Sequence, residues 1–259
     1  MRRTLKTVLG SARSRRPGRG VVVLTYHRVG GGSPDERDVS VADFAAQVEA
    51  LRDVDVVPLD TALDRLESEA EPSGTVITID DGFRDVHEHA WPLLRRHRLP
   101  FTLYLTTGYV GGTMDWPGST ARVPGPALTW DMVREMVDSG LCTLGNHTHS
   151  HVPPARLTVG ELDRCSAEIA RRTGISPRHF AYPWGIPVPG LEPELAARFR
   201  SAATGRLGRN HPATDPLRLT RVPVRQSDPL PFFAAKLTGN LGPERAYAGI
   251  VTVAKRVGL

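Results

Sequence analysis

Two short clusters of acids and imidazoles carry the reactive chemistry of this chain. Thr78-Ile79-Asp80-Asp81-Gly82 ends one apolar run, and His147-Thr148-His149-Ser150-His151 ends another. An Asp-Asp-Gly triplet alone reads as a turn, because Asp and Gly favour turn backbone. The preceding Val76-Ile77-Thr78-Ile79 changes that reading, since a buried strand would deliver two adjacent carboxylates at its end. Successive strand residues point to opposite faces, so the two acids take different jobs unless the turn redirects one. His147 and His151, four apart, add two imidazoles. Two imidazoles and one carboxylate leave positions on a metal open for water and substrate. The second carboxylate can then handle protons. This is equipment for metal-assisted hydrolysis. His149 reads as a packing or surface residue, and His87 and His89 as solvated positions on a helix.

Strand–helix alternation must position these groups. Strands are expected at Val21–Tyr26, Val56-Val57, Thr75–Ile79, Phe101–Thr106, Cys142–Gly145, Phe180–Tyr182 and Leu217–Val224. Helical spacing covers Val41–Arg52, Leu59–Glu71, Val86–His97 and Glu192–Phe199. Thr129 is a helix N-cap, and Gly140 closes that helix. Thr158 with Glu161 forms a capping box for a helix to about Arg172. One or two helices follow Pro231. The stretch from Gly108 to Pro126 is a long Gly- and Pro-rich loop of the kind that is often functional. Alternation of this sort implies a parallel sheet with helices outside, and 259 residues suit a closed or nearly closed (β/α) barrel. In such barrels the chemistry sits at the C-terminal ends of strands. His27, Asp80-Asp81, His147/His151 and Pro183-Trp184 all fall there. A doubly wound open sheet is the alternative, but the chain has no Gly-rich phosphate loop.

Composition narrows the class. Hydrophobic residues make up 40% and charged residues 24%, enough apolar content for a sizeable core. The net charge of +5 is concentrated before the first strand, at Arg2, Arg3, Lys6, Arg13, Arg15, Arg16 and Arg19. That arm, residues 1–19, reads as a disordered basic leader able to make weak contact with an anionic membrane surface. Thr4 to Ala12 is too broken an apolar stretch for an export signal, so a cytoplasmic location is expected. No helix-turn-helix or finger motif accompanies the charge, and no nucleic-acid partner is expected. Cys142 and Cys165 read as small buried hydrophobes.

The motifs resemble a known family. Thr78-Ile79-Asp80-Asp81-Gly82-Phe83 and His147-Thr148-His149-Ser150-His151 are similar to the first two signature motifs of the polysaccharide deacetylases, carbohydrate esterase family four with the NodB-homology domain. Leu128-Thr129-Trp130-Asp131 and Phe180-Ala181-Tyr182-Pro183-Trp184-Gly185 also fit, the latter resembling the third motif. The resemblance implies a distorted, seven-stranded parallel (β/α) barrel, a divalent metal (usually zinc) and hydrolysis of N-acetyl groups on an amino-sugar carbohydrate. It makes Asp80 the catalytic base and Asp81, His147 and His151 the metal ligands. Tyr182, Pro183 and Trp184 become substrate-groove residues, with a backbone N–H near Trp184 for the oxyanion. The catalytic domain would run over 20–228, with a helical extension over 229–259 packed on it.

Two departures stand out. Ala181 replaces an Arg that pairs with the base in many members, and the late Leu-x-His motif of the catalytic acid is absent. Leu24-Thr25-Tyr26-His27-Arg28-Val29 resembles the opening strand of a biofilm-exopolysaccharide deacetylase branch with permuted motifs, which makes His27 the acid. Arg221, at a later strand end, is the candidate for the missing charge near the substrate. Asp228 is a candidate to orient His27. The alternatives are removal of a formyl or other acyl group from a lipid-linked, nucleotide-linked or small natural-product amino sugar, and a catalytically impaired sugar-binding member.

Overall fold

Residues 2–10, 19–68, 70–116 and 124–256 are described in a computed structural model of the chain. Among them, seven strands run parallel and in sequence order round a closed barrel. They are Gly20–Tyr26 (β1), Ser73–Asp81 (β2), Phe101–Leu105 (β3), Cys142–Asn146 (β4), His179–Ala181 (β5), Ser201–Leu207 (β6) and Leu219–Pro223 (β7). Strand β7 pairs back onto β1 with Leu24 opposite Val222, which closes the ring. The expected parallel (β/α) barrel is the observed fold.

Burial on both faces explains the strand sequences. Every residue of β1 is buried, as a parallel strand with helices outside requires. Val21 and Val23 share the barrel interior with Val76 of β2, Tyr104 of β3, Ala181 of β5 and Ala203 of β6. The alternate residues Val22, Leu24, Ile77, Ile79 and Leu103 face outward to the surrounding helices. Each such Val, Ile or Leu side chain contributes about 1.5–3 kcal/mol on burial.

The helices are Arg2–Gly10 (α1), Val41–Leu51 (α2), Leu59–Ser68 (α3), Trp91–Arg96 (α4), Trp130–Asp138 (α5), Val159–Thr173 (α6), Glu192–Ala196 (α7), Leu230–Leu237 (α8) and Gly242–Arg256 (α9). Ser40 and Thr129 cap α2 and α5, their hydroxyls accepting from Asp43 N and Met132 N. Helix α3 closes the N-terminal end of the barrel. Its Leu59, Ala62, Leu63 and Leu66 join the interior cluster, and Asp60 pairs with His179 and Arg200 at the starts of β5 and β6. The opposite, C-terminal rim is left free for a site. No described helix is long and apolar enough to cross a membrane.

The structure departs from the sequence expectations in four places. Val56 makes only an isolated bridge to Thr75, and the seventh barrel strand is β6 instead. Ser201-Ala202-Ala203-Thr204 has no bulky apolar run to announce a strand, although its first four residues are buried. The helix expected over Val86–His97 begins as a π-turn at Val86–Ala90 before α4. The capping box does not form, because the Thr158 side chain makes no cap bond. Glu161 instead accepts from Ser150 N in the histidine loop.

The fourth departure is the basic leader. Residues 2–10 are helical, while 11–18 lie outside the described residues. Lys6 is fully buried, and its Nζ donates to Asp228 Oδ1 at 2.6 Å and Ser227 Oγ at 2.7 Å. Lys236 of α8 donates to the other Asp228 oxygen at 2.6 Å. A charge buried without water needs such partners, and these arrive from more than two hundred residues away. Arg2 and Arg3 reach Glu36 and Asp43 on the protein itself.

Candidate metal centre and active site

Strand β2 carries Asp80 and Asp81 at its C-terminal end, both buried. Alternation alone would send them to opposite faces. Asp81 instead has φ of +77°, a left-handed backbone rare for non-glycine residues. The kink brings its carboxylate to the same rim as Asp80. The histidine loop after β4 uses the same device, with φ of +68° at Thr148 and +48° at His151. Asn146 shapes that loop: Oδ1 accepts from Thr148 N, and Nδ2 donates to Leu162 O. Strain concentrated at one rim is characteristic of functional sites.

His147 Nε2 and His151 Nε2 lie 3.4 and 3.5 Å from Asp81 Oδ1. The three donor atoms fall within 4.8 Å of one another, and all three residues are buried. Metal–ligand bonds of about 2.0–2.2 Å give donor–donor edges of roughly 3.0–3.5 Å, so the trio fits a divalent cation. His147 Nδ1 donates to Ala181 O at 2.8 Å, which leaves the Nε2 lone pair facing Asp81. Burial pulls the His151 pKa down to about 4, keeping the ring neutral as a ligand must be. Burial also acts against charge on His147, but Asp81 and Asp80 outweigh it and the pKa is raised.

Asp80 has a separate partner. Arg221 Nη1 donates to Asp80 Oδ1 at 2.8 Å, and its Nε donates to Thr204 O of β6 at 2.8 Å. Burial would raise the Asp80 pKa, but the guanidinium, followed by His147, overrides it and leaves the carboxyl below its ordinary range. His27, just past β1, sits with Nε2 4.0 Å from Asp80 Oδ2. Burial lowers the His27 pKa, and Asp81 and Asp80 act in the opposite direction. These groups line a cavity of about 220 Å³ with Trp116, Trp184 and Arg37.

The aromatic wall differs from the expectation. Trp184 lines the cavity, at φ of +63° in the turn Pro183–Gly185. A Cβ at Gly185 would meet Gly205 Cα at 2.6 Å, so β6 and this turn pack with glycine on both sides. Tyr182 does not reach the groove. It is fully buried against Phe180, Leu195 and Phe199, because alternation turns Ala181 inward and Tyr182 outward. Pro183 is buried as well and does not line the cavity. Asp228 does not orient His27, since its oxygens are taken by Lys6, Lys236 and Arg225 N. His149 faces away and pairs with Thr107 Oγ1.

Four contributors escaped the sequence reading. Trp116 lies in the long loop, where an isolated indole among Gly and Pro is the signal available. Arg37 had none. The carbonyls of Ala181 and Thr204, which orient His147 and Arg221, have no side-chain signature.

Known proteins resemble this chain in sequence and in fold. Residues 68–189 match the family model described as polysaccharide deacetylase. That span holds Asp80, Asp81, His147, His151 and Trp184, while His27 and Arg221 lie outside it. The structure is similar to IcaB from Ammonifex degensii, with a TM-score of 0.74 and 31% identity over 87% of this chain and 100% of that one. A polysaccharide deacetylase from Bacillus cereus shares the fold, with a TM-score of 0.70, 23% identity, and coverage of 84% of this chain and 69% of that one. The poly-beta-1,6-N-acetyl-D-glucosamine N-deacetylase of Escherichia coli K12 is 30% identical over 56% of this chain. The chain spans 23% of that relative's length.

Proposed function

Because the chain belongs to the polysaccharide deacetylase family, we propose that it hydrolyses the N-acetyl group of an amino sugar, releasing acetate and a free amine. Poly-β-1,6-linked N-acetylglucosamine is the first substrate to try, from the name of the Escherichia coli relative. The observation that carries the proposal is the convergence of Asp81, His147 and His151 on one point beside the Arg221-paired Asp80.

Asp81, His147 and His151 would hold a divalent cation, with zinc the expected ion. Such an ion supplies Lewis acidity, activating water and polarising the amide carbonyl. Asp80 accepts the proton of the attacking water, and Arg221 keeps it ionised for that purpose. His27 gives a proton to the leaving nitrogen, without which the tetrahedral intermediate reverts. The Gly185 N–H is committed to Tyr182 O, so the Trp184 N–H is assigned to the oxyanion. The half-buried Trp184 indole offers a face for a sugar ring. Residues 20–228 form the proposed catalytic domain, with 229–259 as its helical extension.

The test is acetate release by the zinc-loaded protein from β-1,6-linked N-acetylglucosamine oligomers, run beside β-1,4-linked and N-formyl analogues. Acetate release that a chelator stops and zinc restores is the expected result. Release of formate alone, with no acetate from any N-acetyl sugar, would overturn the acetyl reading.

A further inference from the structure

We propose that Trp116 is a positioning residue of the metal centre, its indole holding the His151 ring so that Nε2 faces Asp81. The inference rests on the metal-site reading above. It arises from an asymmetry between the two histidines. His147 is fixed by the Nδ1 bond to Ala181 O. His151 Nδ1 is buried and has no hydrogen-bond partner among the described residues. Its backbone φ of +48° lies in the left-handed region that few non-glycine residues adopt.

Aromatic packing stands where the hydrogen bond is missing. The Trp116 ring centroid lies 4.2 Å from that of His151, with the planes 32° apart. Trp184 approaches at 5.5 Å and 59°. Trp116 is thus the nearest ring and the closest to parallel, a tilted face contact that restricts rotation about the Cβ–Cγ bond. The indole is itself anchored. Tyr109 and Phe83 pack on it at 5.5 and 6.0 Å, and the short ribbon Thr113–Met114 with Gly125–Pro126 fixes the loop just before it. The long loop after β3 therefore reaches back over the rim to seat one indole on one ligand.

A sugar platform is the competing role for Trp116. The residue is only 5% exposed, because Phe83, Met114, Tyr109 and His151 cover it. Little indole face remains for a sugar, whereas Trp184 keeps more. Loss of a platform would raise KM and leave metal affinity alone. Loss of a positioning residue weakens metal binding in the absence of any substrate.

The experiment measures zinc affinity of the full chain by competition with a chromophoric chelator, and records the cobalt-substituted absorption spectrum. The proteins are the wild type, Trp116→Phe, Trp116→Leu, Trp116→Ala and His147→Ala. Leucine keeps the loop packed without a ring face, so the comparison survives if the alanine variant fails to fold. Trp116→Leu is expected to bind zinc roughly ten- to a hundredfold more weakly with an altered cobalt spectrum, while Trp116→Phe recovers most of the affinity. Equal affinity in wild type and Trp116→Leu overturns this inference alone, as does equal loss in the Phe and Leu variants. A wild type that binds no zinc, or one matched by His147→Ala, overturns the metal-site reading and this inference with it.

Discussion

Replacing Arg221 by Met tests whether the Asp80 charge depends on this one partner. The guanidinium and carboxylate meet at 2.8 Å with side-chain exposures of 5% and 2%. At a charge separation of about 4 Å and an effective dielectric near 20, their attraction is roughly 4 kcal/mol. Breaking a buried pair by removing one partner typically costs about 3–5 kcal/mol, since an uncompensated charge is left behind. Arg221→Met should therefore destabilise the metal-free protein by about 3–5 kcal/mol. In an Asp80→Asn background the same change removes only a hydrogen bond to a neutral group, worth about 1 kcal/mol. Urea unfolding of the four proteins, all with chelator present, gives the coupling, expected at about 2–4 kcal/mol. Arg221→Lys should recover only part of the loss, because an ammonium cannot span Thr204 O and Asp80 in the manner of the planar fork. A coupling below about 0.5 kcal/mol, within ordinary additivity error, would refute the reasoning.

Asp80→Asn and His27→Ala should each lower kcat by about 10²–10⁴-fold while zinc affinity stays close to wild type. Steady-state kinetics with the chelator competition assay would check this, and near-wild-type rates in both variants would remove the acid–base assignment. Lys6→Met should cost about 3 kcal/mol in urea unfolding, at the low end for a buried pair because Lys236 still faces Asp228. Activity per folded molecule should be unchanged, and an unaltered unfolding midpoint would show that α1 adds nothing to stability.

The parts of the site that were legible in the sequence share one property: each announces itself locally. Asp80-Asp81 and His147/His151 stand at the ends of apolar runs, and strand ends in a parallel barrel converge on one rim. The family resemblance then made His27 and Arg221 candidates, although neither lies in the matched span. Strand β6 was not legible, because an Ala-rich interior position is small for geometric reasons and carries no hydrophobic signal. Tyr182 was misplaced by one step of alternation, which inverts a face.

The sequence by itself determined which residue types were available and that strand–helix alternation would bring them to one end of a barrel. Local pattern suffices for that, since strand periodicity and turn chemistry act over a few residues. Only the tertiary structure decided the pairings. Arg221 meets Asp80 across 141 positions of chain, Lys6 meets Asp228 across 222, and Trp116 closes over His151 from a loop with no regular pattern. Such contacts are set by barrel closure and by the left-handed backbone at Asp81 and His151. A buried charge or an unbonded imidazole finds its partner only when the whole chain has excluded water around it.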